Sequence, residues 1–199
     1  TGRAQFGADL AFPDMLWGRV LRSPHAHARI RRIDVSKALA LPGVKAVVTA
    51  ADLPELASVE AGGGEGAANM RDLSHNVLAR EQVLYHGHAV AAVAASSAEL
   101  AEQALAAIEV EYEPLPAVLS IEAALAPGAP LLHEAMKTRG ADASLPNVAS
   151  RIVFSRGDPE AAFAAADVVV ERTFHTQTVH QGYIEPHAVV ARTNADGQS

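Results

Sequence analysis

The sequence contains no cysteine among its 199 residues. This absence excludes disulfide bonds, a cysteine nucleophile, thiolate-bound zinc and any iron–sulfur cluster held by this chain. Redox chemistry that involves the chain must therefore use a cofactor bound by groups other than protein thiolates.

Long apolar runs and a basic surplus are also missing. No stretch approaches the roughly 18 consecutive apolar residues of a membrane-spanning helix, and residues 1–10 lack the pattern of a secretory signal. Lysine and arginine total 16 against 23 acidic residues, whereas a nucleic-acid-binding domain usually carries a basic surplus. We therefore expect a cytoplasmic protein that binds neither membranes nor nucleic acids.

Alternating apolar and polar residues near the N-terminus predict two short strands at residues 15–23 and 26–35, separated by a turn at Ser23 and Pro24. The alternation splits the second strand into two faces, Ala28, Ile30 and Arg32 on one and Arg29, Arg31 and Ile33 on the other. The run of arginines is therefore not expected to form a single basic stripe.

The next segments predict a helix, a strand and a loop. Asp34 or Ser36 is placed to cap a short helix that ends before Pro42 and Gly43, and residues 44–50 are β-branched and apolar. Residues 56–70 are glycine-rich without apolar periodicity, which predicts a flexible surface loop. No Lys-Ser/Thr pair closes this stretch, so a phosphate-binding loop is not indicated.

A strand and a helix are predicted from residue 82 onward. Residues 82–95 favour a strand that tolerates Gly87, and Ser96 and Glu99 have the spacing of a capping box for the following helix. One face of that helix carries Leu100, Ala104, Ala107 and Ile108. Alternation returns in residues 108–118, which end in a Pro-x-Pro break typical of a domain boundary.

Residues 119–150 are rich in alanine, proline and glycine and predict a surface connector with one short helix at residues 120–126. From Arg151 the sequence again predicts strand, helix and strand. Asp158 is placed to cap the helix, with Pro159 at its first position. Further strands are expected at Asp167–Thr173 and from residue 188 into a hairpin turn at residues 195–197.

Two histidine pairs, His25/His27 and His86/His88, have the i, i+2 spacing that places both rings on one face of a strand. Such a pair supplies two ligands of a zinc site, and a metal-dependent hydrolase is one hypothesis. In each pair, however, a small residue stands between the rings beside a predicted turn, which is more typical of histidines that bond to the backbone. No helical HExxH sequence is present, and we predict no metal ligand.

Three blocks of the sequence carry a family resemblance. They are residues 23–54 beginning SPHAHARIRRIDV, residues 83–118 beginning VLYHGHAVAAV, and residues 147–191 ending HQGYIEPHAVVA. In this order they resemble the large subunit of the xanthine dehydrogenase and aldehyde oxidase family of molybdenum hydroxylases. The resemblance implies an α/β fold with mixed α+β sheets: an α/β hammerhead domain at residues 1–115, a connector at 116–150, and the incomplete start of a molybdenum-cofactor-binding domain at 151–199.

The resemblance also implies cofactors and partners. Large subunits of this family bind molybdopterin, usually the cytosine dinucleotide in bacteria, and hydroxylate aldehydes or N-heteroaromatic compounds with oxygen derived from water. Electrons leave through two [2Fe–2S] clusters to FAD on partner subunits. The molybdenum is held by dithiolene sulfurs of the pterin, which agrees with a chain that lacks cysteine. The expected partners are the remainder of the subunit, the iron–sulfur subunit, the FAD subunit and a small-molecule substrate.

Residue by residue, the resemblance transfers no catalytic group. The family's active-site glutamine, its Gly-Gly-Phe-Gly loop and its glutamate base follow a segment like residues 184–191, and none of these motifs occurs before Ser199. We therefore expect the catalytic residues downstream of Ser199, no cofactor on these 199 residues alone, and a structural, inactive role for them. A freestanding hammerhead-type binding or assembly module is the alternative.

Three residues near the expected cofactor domain are candidate cofactor contacts: His180, Gln181 and Glu185. Glu185 is also interpretable as a buried structural carboxylate paired with an arginine. One departure from the family is His88, because the family generally has an acidic or polar residue after the preceding glycine. The substrate is not predicted, because its pocket lies outside these residues.

Overall fold

The computed structural model describes residues 2–63, 66–133, 138–185 and 187–193. The chain divides into two units, which we call the sheet unit (Asp14–Arg151) and the terminal unit (Thr1–Pro13 with Ile152–Ser199). No helix among the described residues is long and apolar enough to cross a membrane.

The described part of the sheet unit contains short antiparallel sheets and helices. Its strands are β1 (Trp17–Arg22), β2 (Ala28–Asp34), β3 (Val44–Thr49), β4 (Glu60–Gly63), β5 (Gly66–Asn69), β6 (Gln82–Val83), β7 (Ala89–Ala95) and β8 (Glu109–Pro114). They form one sheet in the order β1-β7-β3, a second in the order β6-β2-β8, and a β4-β5 hairpin. The helices are α1 (Ser36–Leu39), α2 (Met70–Val77), α3 (Ala98–Ala106) and α4 (Ile121–Leu125). The predicted mixed α/β fold class is confirmed.

The larger core lies between α3 and the β1-β7-β3 sheet. Ala101 and Ala104 on the helix, and Ala91 and Ala95 on β7, are completely buried. Small side chains allow the helix axis to approach the sheet closely, and Ile108 closes the end of this core cluster. The predicted apolar helix face is confirmed in general position, although Ala101, which was not predicted, is completely buried and Leu100 is only partly buried.

A β-bulge changes the faces predicted for β2. Ile30 and Arg32 lie opposite consecutive residues of β8, so Arg31 is an extra residue in the pairing. An extra residue shifts the alternation of side chains by one position. As a result Ile30 and Ile33 pack against the same core cluster, while Arg31 and Arg32 are both exposed. The prediction that the two isoleucines occupy opposite faces was wrong.

The segment predicted as one strand over residues 82–95 is two strands in different sheets. The two-residue strand β6 pairs with β2, whereas β7 is the central strand of the other sheet. Between them Gly87 adopts φ +86°, and a left-handed residue interrupts an extended backbone. The single-strand prediction was wrong for this reason.

The glycine-rich stretch is also more ordered than predicted. β4 and β5 pair as an antiparallel hairpin, and α2 begins at Met70, with Asn69 Oδ1 accepting a hydrogen bond from the Arg71 N–H at 3.0 Å. A strand ladder uses only backbone groups, so it does not require the apolar periodicity whose absence suggested a flexible loop. That loop prediction was wrong.

The helix starts match the sequence signals to within one residue. Asp34 Oδ1 accepts a hydrogen bond from the Ser36 N–H at 3.0 Å at the start of α1. For α3 the capping residue is Ser97, which accepts from the Leu100 N–H at 3.2 Å, and not Ser96. The Ser96 N–H donates instead to Gly43 O at 3.0 Å. This bond joins the residue that follows β7 to the residue that precedes β3.

The connector contains the predicted short helix, α4, capped by Ser120. Asn147 fixes the connector through three hydrogen bonds of its side-chain amide. Nδ2 donates to Ala124 O at 3.2 Å and to Pro130 O at 3.0 Å, and Oδ1 accepts from the Leu132 N–H at 3.2 Å. Asn147 has φ 52°, a conformation that asparagine tolerates better than most residues.

The described residues of the terminal unit contain one α-helix, α5 (Pro159–Ala164), but no strand. Asp158 Oδ1 accepts from the Ala161 N–H at 3.0 Å, as predicted for its cap. Strands expected after Arg151, at Asp167–Thr173 and from residue 188 are not formed. A strand needs a second strand to bond its backbone groups, and none of the described residues supplies one here. The predicted turn at residues 195–197 lies outside the described residues.

Candidate functional site

The candidate cofactor contacts His180, Gln181 and Glu185 lie on an exposed segment of the terminal unit. Gly182 turns the chain with φ +74°, and Nδ1 of His180 accepts a hydrogen bond from the Gly182 N–H at 3.0 Å. This bond fixes the His180 ring and leaves its Nε2 as a hydrogen-bonding group.

The turn brings three rings together. Tyr183 lies with its ring centroid 4.7 Å from that of His180 and 4.8 Å from that of His187. Its hydroxyl oxygen is 3.4 Å from Nδ1 of His187. Sequence reasoning missed Tyr183, although two histidines placed three residues before it and four after it were a usable signal.

Glu185 does not have the environment suggested for it. The residue is exposed, and among the described residues no arginine pairs with it. The expectation of a buried carboxylate paired with arginine concerns the complete subunit and stays a prediction, because the described residues leave this segment exposed.

In the sheet unit, the first histidine pair is part of the packing between segments. His27 is buried, with Nδ1 at 2.7 Å from Pro116 O and Nε2 at 3.2 Å from Gln82 Oε1. The turn before it is fixed by the Ser23 hydroxyl, which accepts from the His25 N–H at 3.0 Å. Both nitrogens of His27 are therefore engaged in protein contacts. Within the described ranges, no group of three histidine or acidic side chains is arranged to hold a metal ion.

The arginines of β2 face acidic residues of β8. Arg29 and Arg31 both pair with Glu113, and Arg32 pairs with Glu111 at 3.4 Å. These side chains are about half exposed, so each pair contributes about 0–1 kcal/mol to stability. Arg32 also pairs with Asp34 at 2.5 Å. The neighbouring strand therefore balances the charge of arginine side chains that remain partly exposed to solvent.

Hydrogen bonds near these ion pairs shift two pKa values. Hydrogen bonds from Ser36 lower the pKa of the Asp34 carboxyl, with smaller contributions from the charges of Arg32 and Lys37. A hydrogen bond to Glu109 raises the pKa of Lys37. Both groups stay ionised near neutral pH, so the ion pairs of Asp34 with Arg32 and of Lys37 with Glu109 keep their charges there.

An open cleft of about 1760 Å³ lies within the sheet unit, lined by parts of β2, β3, α2 and the connector. Two arginines of its wall have protein partners. Arg80 Nη2 donates to Leu53 O at 2.9 Å and to Pro54 O at 3.0 Å, and Arg71 pairs with Glu55 at 3.4 Å. These contacts hold the walls of the cleft together and do not define a catalytic site.

Comparison with known proteins assigns the chain to a class. Residues 1–116 match the family model described as aldehyde oxidase and xanthine dehydrogenase, a/b hammerhead domain. Residues 142–199 match that of the molybdopterin cofactor-binding domain. The chain therefore belongs to the aldehyde oxidase and xanthine dehydrogenase family, with the hammerhead fold in its larger part.

Individual relatives agree with this assignment. The chain is 41% identical to the gamma subunit of the 6-hydroxypseudooxynicotine dehydrogenase complex of Paenarthrobacter nicotinovorans, and 40% identical to the carbon monoxide dehydrogenase large chain of Afipia carboxidovorans, in each case over 96% of its length. The structure of carbon monoxide dehydrogenase from Oligotropha carboxidovorans matches 84% of the chain with a TM-score of 0.63 and 38% identity. The chain spans 23% of each of these two relatives and 21% of the matched structure.

The side chains of this segment have the donors and acceptors that a molybdopterin cofactor requires, but the described residues do not surround such a ligand. The His180 imidazole, the Gln181 amide and the Glu185 carboxylate offer donors and acceptors suited to the polar groups of a pterin nucleotide. A cofactor site also surrounds most of its ligand, whereas residues 151–185 and 187–193 are exposed. The described residues alone do not form the cofactor site, and no catalytic step is assigned to them.

Proposed function

We propose that this chain is part of the large, molybdopterin-binding subunit of a molybdenum hydroxylase. The enzyme would oxidise an aldehyde, an N-heteroaromatic compound or a related substrate with oxygen derived from water. The main support for this proposal is that two segments, residues 1–116 and 142–199, match domains of such subunits. Relatives named as carbon monoxide dehydrogenase large chain and as part of a dehydrogenase complex support a multi-subunit enzyme.

Within that enzyme, residues 1–115 are the hammerhead domain, residues 116–150 a connector and residues 151–199 the start of the cofactor-binding domain. The hammerhead domain has a structural role, which the ion pairs between β2 and β8 and the hydrogen bonds from Arg80 to the backbone support. We expect no hydroxylase activity from the 199 residues alone, because the segment that begins the cofactor-binding domain is exposed and does not surround a ligand.

The proposed cofactor is molybdenum bound by molybdopterin cytosine dinucleotide. The [2Fe–2S] clusters and FAD are carried by partner subunits, which agrees with a chain that has no cysteine. His180, Gln181 and Glu185 contact the cofactor region once the remainder of the subunit covers their exposed segment. The enzyme works in the cytoplasm.

The test is to express the complete reading frame that contains this chain together with its neighbouring genes. The purified complex should hold about one molybdenum, about four iron atoms and about one FAD per large subunit, the content of one molybdenum site and two [2Fe–2S] clusters. A folded protein without molybdenum contradicts the proposal and favours the binding or assembly module.

The same complex tests the cofactor contacts. Replacing Gln181 by alanine should lower molybdenum content or kcat/KM about 10- to 100-fold, the usual cost of losing a hydrogen bond to a metal cofactor's surroundings. Gln177→Ala is the matched control, because Gln177 is an exposed glutamine of the same segment. If both variants lose activity equally, or neither does, Gln181 has no specific role.

A further inference from the structure

His88 occupies an unusual position for an ionisable residue. It lies in the joint through which the chain passes between the two three-stranded sheets, and its side chain is completely buried. The joint consists of residues 23–27, which connect β1 to β2, and residues 84–88, which connect β6 to β7. Backbone hydrogen bonds tie these connections together, from the Ser23 N–H to His88 O and from the Gly87 N–H to Ser23 O, both at 2.9 Å.

The hydrogen bonds of the His88 ring define its protonation. Nδ1 accepts a hydrogen bond from the Leu84 N–H at 3.2 Å, so the proton of the neutral ring is on Nε2. Nε2 is buried and has no hydrogen-bond partner among the described residues. Tyr85 stacks on one face of the ring, with centroids 4.5 Å apart and planes inclined by 15°. The bond from Leu84 requires an unprotonated Nδ1, which the neutral ring provides and the charged ring does not.

The groups around His88 set the direction of its titration. Burial lowers its pKa below the ordinary value of 6.5, and the charge of His133 acts in the same direction. The backbone of His75 and Asn76, at the end of α2, favours the charged ring but does not outweigh burial. Arg22 donates to Gly87 O at 2.9 Å and adds positive charge at the same turn. None of these contacts offers a carboxylate to the ring.

We propose that His88 makes the joint between the two sheets sensitive to acid, because protonation of its buried ring opens the turn at residues 84–88. A protonated Nδ1 cannot accept from the Leu84 N–H, so this hydrogen bond is lost. The charged ring then reaches water only if the turn swings out, and Gly87, with φ +86° and open space around its α-carbon, is the residue that permits this motion. The inference concerns the sheet unit and is independent of the proposed redox activity.

The effect of pH on the opening of the joint follows from the linkage between opening and proton binding. A histidine with a lowered pKa in the closed state binds more protons in the open state, so acid favours opening. The closed joint is most stable above the ordinary histidine pKa of 6.5. Below that pH the opening constant rises by up to tenfold per pH unit, and the rise levels off once the pH falls below the lowered pKa of the closed state.

Amide hydrogen exchange of the full chain, from about pH 5 to about pH 8 and corrected for intrinsic exchange rates, measures this opening. Peptides covering residues 17–30 and 79–95 should lose protection below about pH 6.5, while α3 keeps its protection. In His88→Asn, the Asn oxygen can accept from the Leu84 N–H in place of Nδ1 but does not titrate, so the pH dependence should disappear. His86→Asn is the matched control, because His86 is an exposed histidine of the same turn and should keep the dependence of the wild type.

Two results would overturn the proposal. One is wild-type protection of the joint that does not change with pH. The other is the same pH dependence in His88→Asn as in the wild type. If His88→Asn does not fold, His88→Gln provides a second non-titrating side chain, with the same two outcomes deciding the question.

Discussion

Replacing Ile108 by alanine is expected to lower the free energy of unfolding by about 2–5 kcal/mol. Ile108 is only 8% exposed and lies between α3 and β8, in contact with the alanine-rich core. Its neighbours there are small and have little freedom to fill the space that the side chain leaves. The decrease in the free energy of unfolding should therefore have two parts. One is the smaller apolar surface that folding removes from water, and the other is the cost of the cavity that remains in the core. Urea unfolding of the full chain measures this decrease.

The chain supplies a matched control for this variant. Ile121 begins α4 and is 75% exposed, so Ile121→Ala should change the free energy of unfolding by no more than about 0.5 kcal/mol. Equal effects at the two positions would show that the core cluster around Ile108 does not limit stability.

Gly43→Ala is expected to cost about 2–4 kcal/mol, for two separable reasons. Gly43 has φ +96°, a left-handed conformation that strains any residue with a β-carbon. An added β-carbon would also lie 2.7 Å from both Leu100 Cδ2 and Ser96 Oγ. Leu100 lies on α3 and packs against the core, so moving its side chain disturbs the packing of the helix against the sheet.

Two other glycines separate these causes. Gly87 has φ +86° but open space around it, and Gly18 has open space without a left-handed φ. Gly87→Ala should cost about 1–2 kcal/mol from backbone strain alone, and Gly18→Ala about 0.5 kcal/mol or less. Denaturant midpoints at unchanged slope rank the three variants. A Gly87→Ala loss as large as that of Gly43→Ala would exclude crowding as a cause.

Local features of the fold could be predicted from sequence where a single segment carries the whole signal. The Asp158-Pro159 pair starts α5, and Ser120 starts α4, because capping involves residues only a few positions apart. The strands around residues 17–22 and 28–34 were predicted for the same reason. Alternation could not reveal that these neighbouring strands belong to different sheets, since pairing depends on β7 and β8, far along the chain.

In the candidate site, too, some features could be predicted from the sequence and others are visible only in the structure. The family resemblance selected residues 180–185, but the exposure of Glu185 depends on what packs around it, and residue type does not encode that. His88 was noted as a departure from the family pattern, while its burial and its bond to Leu84 were visible only in the structure. The shift of side-chain faces at Arg31 likewise arises from the register with β8.

The sequence by itself determined the family, the starts of α1, α3, α4 and α5 to within one residue, and the chemistry that a chain without cysteine excludes, because these follow from residue type and short spacing. Only the tertiary structure decided which strands pair, where β2 bulges and which histidine is buried at the joint. The physical reason is that most of these features depend on contacts between segments far apart along the chain, such as Ser23 with His88, and neither segment alone carries the energy of such a contact.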